Sequence, residues 1–504
     1  MTKVSNKVVL DGETLTIEEV VLVARESAKV VLSKNAQEKI SKSRSVVEKI
    51  LKSDKAYYGI NTGFGNFQDV QISEKDLGKL QENLIISHAV GVGEPLPIDV
   101  VRAMLLLRIN TLCKGFSGIR LKVVLTLIEM LNYEITPVVP EKGSVGASGD
   151  LAPLSHMALS LIGKGEVFFK GKRIPTQEAF EECEISKVTL QAKEGLALNN
   201  GTQTMTAIGI LTLFDAEILV RNCDVAGAMT LEALKGKSSP FHPKIHELRK
   251  HLGQTTTAKN IRSLTEGSEL IDLVDEDTKT KVQDAYSLRC MPQVHGASRD
   301  SFAHVRQVLE TEINSVTDNP IILGDEEKIV FSAGNFHGQP IALAMDLLGL
   351  AIAELGNISE RRTARLVDPK LNFGLPAFLT KEGGLNSGLM ITQYTAAALV
   401  SENKTLIHPA SGDSIPTSAN QEDHVSMGTI GARHANEILK NIQNVVAIEV
   451  LSANQALSFR KEKPGKLIRE VVKLVNSVVP KIDQDREFHK DISSVRELIK
   501  NKLF

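Results

Sequence analysis

The chain has 504 residues, 42% of them hydrophobic and 24% charged, a balance that suits a soluble globular protein with a large core. Lys and Arg number 59 against 61 Asp and Glu, a net charge of -2, which leaves no electrostatic footprint for nucleic acid or acidic membranes. The four cysteines are scattered without a Cys-x-x-Cys, against a disulfide framework or zinc site and in keeping with a reducing cytoplasm.

The N-terminal residues lead into polar and acidic positions rather than a long apolar run, so no signal peptide is expected. Residues 15–51 read as helix, with Thr16 just ahead of Glu18 and Glu19. Residues 100–131 read as a second helical region, interrupted near Gly115 and Gly118. Pro137 and Pro140 stop the helix and open a loop containing Gly143, Gly146 and Gly149. Residues 165–171, bounded by glycines, read as a short hairpin. Beyond a soft boundary near residue 195 the character changes. Residues 196–234, 296–316, 334–367 and 422–459 are long stretches whose one proline is Pro340. Apolar residues recur there at helical spacing, as in Ile208, Leu211, Phe214 and Ile218. Such helices pack on one another as a bundle. The most apolar stretch, 341–355, carries Asp346 and Glu354 and reads as a buried helix rather than a membrane span. The expected fold is mainly α: a smaller mixed domain over 1–195 carrying the glycine-rich loop, then a long-helix bundle over 196–504.

Three familiar motifs fail. Gly236-Lys237-Ser238 resembles the end of a phosphate-binding loop, but Leu231 stands where the first glycine belongs. His246 and His251 are five residues apart, which turns the two imidazoles about 140° from each other on a helix and off a common metal-binding face. Ser148 is not a nucleophile elbow, because Asp150 replaces the closing glycine.

The loop Gly143-Ser144-Val145-Gly146-Ala147-Ser148-Gly149-Asp150 admits one unusual chemistry. The Gly149 amide nitrogen can attack the Ala147 carbonyl and close a five-membered ring, helped by the conformational freedom of a residue without Cβ. Loss of the Ser148 hydroxyl then leaves an electrophilic methylidene-imidazolone. By itself the tripeptide reads better as a flexible Gly/Ser turn, since short motifs match often by chance.

The surrounding blocks decide between these. They are Tyr58-Gly59-Ile60-Asn61-Thr62-Gly63-Phe64-Gly65, Ser87-His88-Ala89, the loop from Gly146 to Pro153, and Asn200-Gly201-Thr202-Gln203. Further along come Gln283-Asp284-Ala285-Tyr286-Ser287-Leu288-Arg289-Cys290, Ser332-Ala333-Gly334-Asn335-Phe336-His337 and Ser418-Ala419-Asn420-Gln421-Glu422-Asp423-His424. In this order the chain resembles the aromatic amino acid ammonia-lyase family, and within it the members that act on histidine.

The resemblance implies that Ala147, Ser148 and Gly149 form 4-methylidene-imidazol-5-one (MIO) autocatalytically, with no metal or diffusible cofactor. It implies an electrophile that makes the substrate amine a better leaving group. Tyr58 is then the expected base for the β-proton, its phenol pKa lowered by the electrophile and nearby backbone dipoles. Arg289 is expected to bind the substrate carboxylate. Tyr286 and Gln283 are expected to line the amine and carboxylate region, Asn200 to hydrogen-bond the cofactor ring, and Phe336 to pack near it. His88 and Glu422 point to an imidazole substrate, L-histidine giving urocanate, because imidazole offers the polar groups that a benzene ring lacks. Glu422 alternatively helps to deprotonate the amine. A tyrosine ammonia-lyase or an MIO-dependent aminomutase is the nearest alternative. A non-catalytic helical homologue is more distant, since Tyr58, Ser148 and Arg289 are all present. The resemblance further implies a homotetramer with shared active sites, and no nucleic-acid or membrane partner. Four positions depart from the histidine-specific pattern: Asn199 for Leu, Met291 for Gln, His295 for Met and Gly412 for Val.

Overall fold

Thr16 opens the first helix, Ile17–Glu26, with a capping box: its hydroxyl accepts the Glu19 N–H while the Glu19 carboxylate accepts the Thr16 N–H. The computed structural model describes residues 7–53, 55–324 and 329–501. Within the 15–51 stretch the helix does not run through. Ser27, at φ 53, ends it. The β-branched Val30 and Val31 then favour a strand, Lys29–Leu32, which pairs in parallel with Lys7–Leu10. Ser33 caps a second helix, Lys34–Ile50.

Helices Ile98–Cys113 and Leu121–Asn132 flank the interruption expected at Gly115 and Gly118. Pro137 and Pro140 lie in short strands rather than in a free loop. Thr136–Pro137 pairs with Glu166–Phe169, and Pro140–Lys142 with Val92–Pro95. The hairpin of Glu166–Phe169 and Lys172–Pro175 turns at Lys170 (φ 49) and Gly171 (φ 75), the left-handed pair that a two-residue hairpin turn requires.

The protein is mainly α. Its longest helices among the described residues are Gln203–Ala233, Met291–Ile313, Gln339–Val367 and Gly428–Leu457. They overlap the expected stretches, but Gln339–Val367 and Gly428–Leu457 begin five and six residues later than expected, Met291–Ile313 begins five earlier, and the largest difference is near residue 200. There the short helix Glu194–Asn199 stops, Asn200 is extended, and Gly201 at φ 155 reorients the chain before the long helix begins. Met390–Leu406, Lys466–Val478 and Phe488–Lys500 are further helices. Gln203–Ala233 and Gln339–Val367 are long and apolar enough to cross a membrane, but 78% and 67% of their most apolar windows lie buried inside the protein, as in core helices.

The chain forms two compact units, each discontinuous in sequence. The first comprises Met1–Leu211, Arg306–Met345 and Pro409–Arg433; the second comprises Thr212–Val305, Asp346–His408 and His434–Phe504. The composition shift near residue 195 divides the chain once, whereas the packing divides it at positions inside all four long helices.

The first unit is organised around Ile98–Cys113, buried on every side from Val100 onward. One of its buried cations is held by backbone carbonyls. Arg102 donates to the carbonyls of Val23, Ala24 and Leu131.

The second unit is tied by two buried carboxylates. Glu449 receives a bidentate pair from Arg362 at 2.5 and 2.8 Å, with Thr230 at 2.8 Å and Ser359 at 2.6 Å. Asp224 receives Arg299 at 2.6 Å and Asn260 at 2.7 Å, and pairs with His295 Nδ1 at 2.8 Å. The two departures in this unit are thus structural: His295 is wholly buried on Asp224, and Met291 fills the space over Gly227.

Candidate functional site

The glycine-rich loop joins strand Pro140–Lys142 to helix Leu151–Leu161. It is clamped from two sides. On one side, Met427 N–H donates to the Val145 carbonyl, and the Ser426 N–H and hydroxyl both donate to the Gly146 carbonyl. Ala147 packs with Val425 and Met427 in a small apolar cluster. On the other side, Asp150 N–H donates to the Gly201 carbonyl at 2.7 Å. Gly149 sits at φ 69, and a Cβ there would lie 2.0 Å from Gly201 O, so no other residue fits.

Asp150 locks this arrangement and was not singled out by sequence. One carboxylate oxygen accepts the Ser144 and Thr429 hydroxyls, and the other accepts the Thr204 and Met205 N–H groups at 2.9 Å each. The second pair belongs to the first turn of Gln203–Ala233, where free N–H groups and the helix dipole favour an anion. Burial still pushes the Asp150 carboxyl above the ordinary range, against these hydrogen bonds.

Ser148 faces a cavity of about 710 Å³ built from the first unit alone. Five of the expected residues line it: Tyr58, His88, Ser148, Asn200 and Glu422. The Ser148 hydroxyl donates to Glu422 Oε1 at 3.0 Å, and Thr417 Oγ1 donates to Glu422 Oε2 at 3.0 Å. Tyr58 OH accepts the Gly65 N–H at 3.3 Å. Burial pushes the Tyr58 phenol above its ordinary value, the Gly65 N–H draws it back in part, and the Glu422 carboxylate pushes it up again. Among the groups of this chain, desolvation outweighs the single backbone dipole, so the lowering expected from sequence falls to the electrophile. His88 is the last residue of helix Leu77–His88. Burial lowers its pKa, against the Leu84 carbonyl and the Glu422 carboxylate, which favour the charged ring.

Asn200 owes its position to a group that sequence reasoning missed. Arg108 is fully buried and donates to the Asn200 carbonyl at 2.7 Å, to the Ala197 carbonyl and to Gln203 Oε1 at 3.0 Å. The available signal was a second cation, beside Arg102, in a helix rich in apolar residues. The Asn200 backbone is held in this way, while its side-chain Oδ1 is buried without a hydrogen-bond partner. Asn199, directly before it, points elsewhere and donates to Ser155 Oγ at 3.1 Å, outside the cavity lining.

The remaining expected residues do not line this cavity. Phe336 lies half-buried in the first unit. Gln283, Tyr286 and Arg289 belong to the second unit. Tyr286 is 72% exposed, the Arg289 guanidinium stacks 4.7 Å over its ring, and Arg289 Nε is buried without a partner. Gly412, the last departure, is exposed in the turn Ala410–Gly412.

Residues 15–477 match the family of aromatic amino acid lyases. A histidine ammonia-lyase of Caldanaerobacter subterraneus subsp. tengcongensis is 55% identical over 496 residues, covering 98% of this chain and 97% of its own. Among solved structures, histidine ammonia-lyase from Trypanosoma cruzi superposes with a TM-score of 0.91 at 44% identity, covering 98% of this chain and 93% of its own. Tyrosine aminomutase from Streptomyces globisporus gives a TM-score of 0.93 at 40% identity, covering 98% and 97%.

Proposed function

The chain belongs to the aromatic amino acid lyase family, and from that premise we propose that it eliminates ammonia from L-histidine to give urocanate. The observation that carries this is the convergence of Tyr58, His88, Ser148, Asn200 and Glu422 on one cavity. A reactive serine, a phenol and a side-chain-reading His–Glu pair are the groups that such an elimination needs.

We assign Ala147, Ser148 and Gly149 as the source of 4-methylidene-imidazol-5-one. Their surroundings fit that group: Gly149 is held at φ 69 under the Gly201 carbonyl, and Asn200, on the wall of the same cavity, keeps a buried Oδ1 without a partner. Once formed, the group supplies the electrophile that turns an α-amino group into a leaving group.

The chain's own residues do the rest. His88 and Glu422 hold the imidazole, and we assign Glu422 the alternative role of taking a proton from the amine. Tyr58 removes the β-proton. Its phenol is raised by burial, so a positive charge brought into the cavity is needed to lower it. Arg289 binds the carboxylate, Tyr286 and Gln283 line the amine and carboxylate region, and Phe336 packs near the cofactor ring. These four lie outside the cavity lining, so we place them in the site through neighbouring copies of a cytoplasmic homotetramer. Exposed Tyr286 and the unpartnered Arg289 Nε support that arrangement.

A second reading rests on the same His88. A neutral imidazole accepts a phenol O–H as well as an imidazole N–H, which suits tyrosine as substrate for a lyase or an aminomutase. Ammonia release from purified protein with L-histidine, L-tyrosine and L-phenylalanine separates the two. Fastest release from L-histidine is expected. Faster release from L-tyrosine, or conversion to a β-amino acid without ammonia, overturns the assignment.

A further inference from the structure

Helix Leu77–His88 ends with two polar side chains on the cavity wall, Ser87 and His88. Ser87 Oγ donates to the Leu84 carbonyl at 3.2 Å and lies 3.0 Å from His88 Nδ1. A hydroxyl has one proton and two lone pairs. With its proton directed to Leu84, Oγ meets Nδ1 with a lone pair. That contact is attractive only if Nδ1 carries the hydrogen. Burial favours the neutral ring, in which the other nitrogen is then bare.

We infer that Ser87 is a positioning residue that fixes the His88 tautomer, so that Nε2 is presented to the substrate as an acceptor. This rests on the role proposed above for His88. It also deepens that role by stating what the substrate must bring. Glu422 is an acceptor as well, since Ser148 and Thr417 both donate to it. A cavity whose side-chain-reading groups are both acceptors selects a side chain with N–H or O–H donors. A neutral imidazole supplies one such N–H and an imidazolium two, whereas a phenyl ring supplies none. If Ser87 lost its hydroxyl, the Nδ1–H form would keep only the pull of the Leu84 carbonyl, and the other tautomer would gain population. Nε2–H would then face the donor of the substrate.

Two measurements test this. The first is nitrogen-15 NMR of histidine-labelled protein, with the His88 signals assigned by difference against His88→Gln. It is expected to show Nδ1–H in the unaltered protein and a mixture in Ser87→Ala. The second is kinetics with L-histidine. Ser87→Ala is expected to raise KM by about fivefold, the worth of one hydrogen bond, with kcat nearly unchanged. Ser87→Thr, which keeps the hydroxyl, is expected to restore both the tautomer and KM. An Nε2–H tautomer in the unaltered protein, or no change of tautomer and KM in Ser87→Ala, overturns the inference whatever the substrate. Lack of L-histidine turnover by the unaltered enzyme overturns instead the substrate assignment on which it rests.

Discussion

Ser148 and Glu422, 274 positions apart in sequence, are joined by a hydrogen bond of 3.0 Å inside one cavity. The bond engages the hydroxyl that must leave if the loop is to become an electrophile. Ser148→Ala is expected to keep the fold, because the lost bond contributes only about 1 kcal/mol. Intact mass should then equal the sequence mass, where the unaltered protein is lighter by two waters. Turnover should vanish. Retained turnover, or an unaltered protein at full sequence mass, removes the cofactor assignment.

Gly149→Ala tests the loop's geometry rather than its chemistry. The new Cβ would lie 2.0 Å from the Gly201 carbonyl oxygen, a backbone atom that cannot swing aside, at a φ of 69 that side chains avoid. The loop must move away from Gly201. Mass spectrometry should show no loss of water, with a stability loss of about 1–3 kcal/mol in a denaturant titration.

How much of this was legible beforehand depends on the range of each interaction. The four long helices were visible because apolar periodicity is local. The strand Lys29–Leu32 was hidden, because its pairing with Lys7–Leu10 is a tertiary fact and its two valines tolerate either state. The loop tripeptide could be read as a cofactor precursor, and its partners Tyr58, His88, Asn200 and Glu422 could be named from resemblance. The support behind them could not. Arg108 reaches Asn200 across 92 positions, and Thr429 reaches Asp150 across 279. Nothing in either local sequence marks those pairs. The burial that raises the phenol of Tyr58 was not legible either, because it is set by the whole wall of the cavity.

Glu449 anchors the second unit, and its charge is what matters. Glu449→Gln keeps the shape but leaves the fully buried Arg362 guanidinium without its counter-ion. A loss of about 3–5 kcal/mol is expected from urea denaturation. Pairing Arg362→Met with Glu449→Leu should recover most of it, since no buried charge then remains unpaired. An equal loss in the double variant would point to packing rather than charge.

Glu232 gives the second unit a pH dependence. It is buried, with Oε1 accepting the Gly465 N–H at 2.9 Å and Oε2 without a partner, and burial pushes its pKa from 4.5 up to about 7. Between those values the folded protein holds a proton that the unfolded chain has released. Stability therefore falls as pH rises through this window and levels off above it. At about 1.4 kcal/mol per pKa unit, the total is on the order of 3 kcal/mol. Glu232→Gln keeps the bond to Gly465 through its amide oxygen. It should match the unaltered protein near pH 4.5 and exceed it in stability at pH 8, as read from urea midpoints. A gap independent of pH would assign the effect to something other than this carboxyl.

The sharing of sites between copies is tested by complementation. Tyr58 lines the first unit's cavity, whereas Arg289 lies in the second unit, outside that lining. If each site takes its phenol from one copy and its guanidinium from another, Tyr58→Phe and Arg289→Ala are each inactive alone but rescue one another when mixed. Co-expressed with distinguishable tags and purified as mixed oligomers, they should recover about a quarter of normal activity, the share of sites in which both intact residues meet by random assembly. Sites built within single chains predict no recovery at all, because every chain in the mixture carries one lesion. The size of the recovered fraction also tells whether oligomers assemble at random, since a preference for like copies lowers it and a preference for unlike copies raises it.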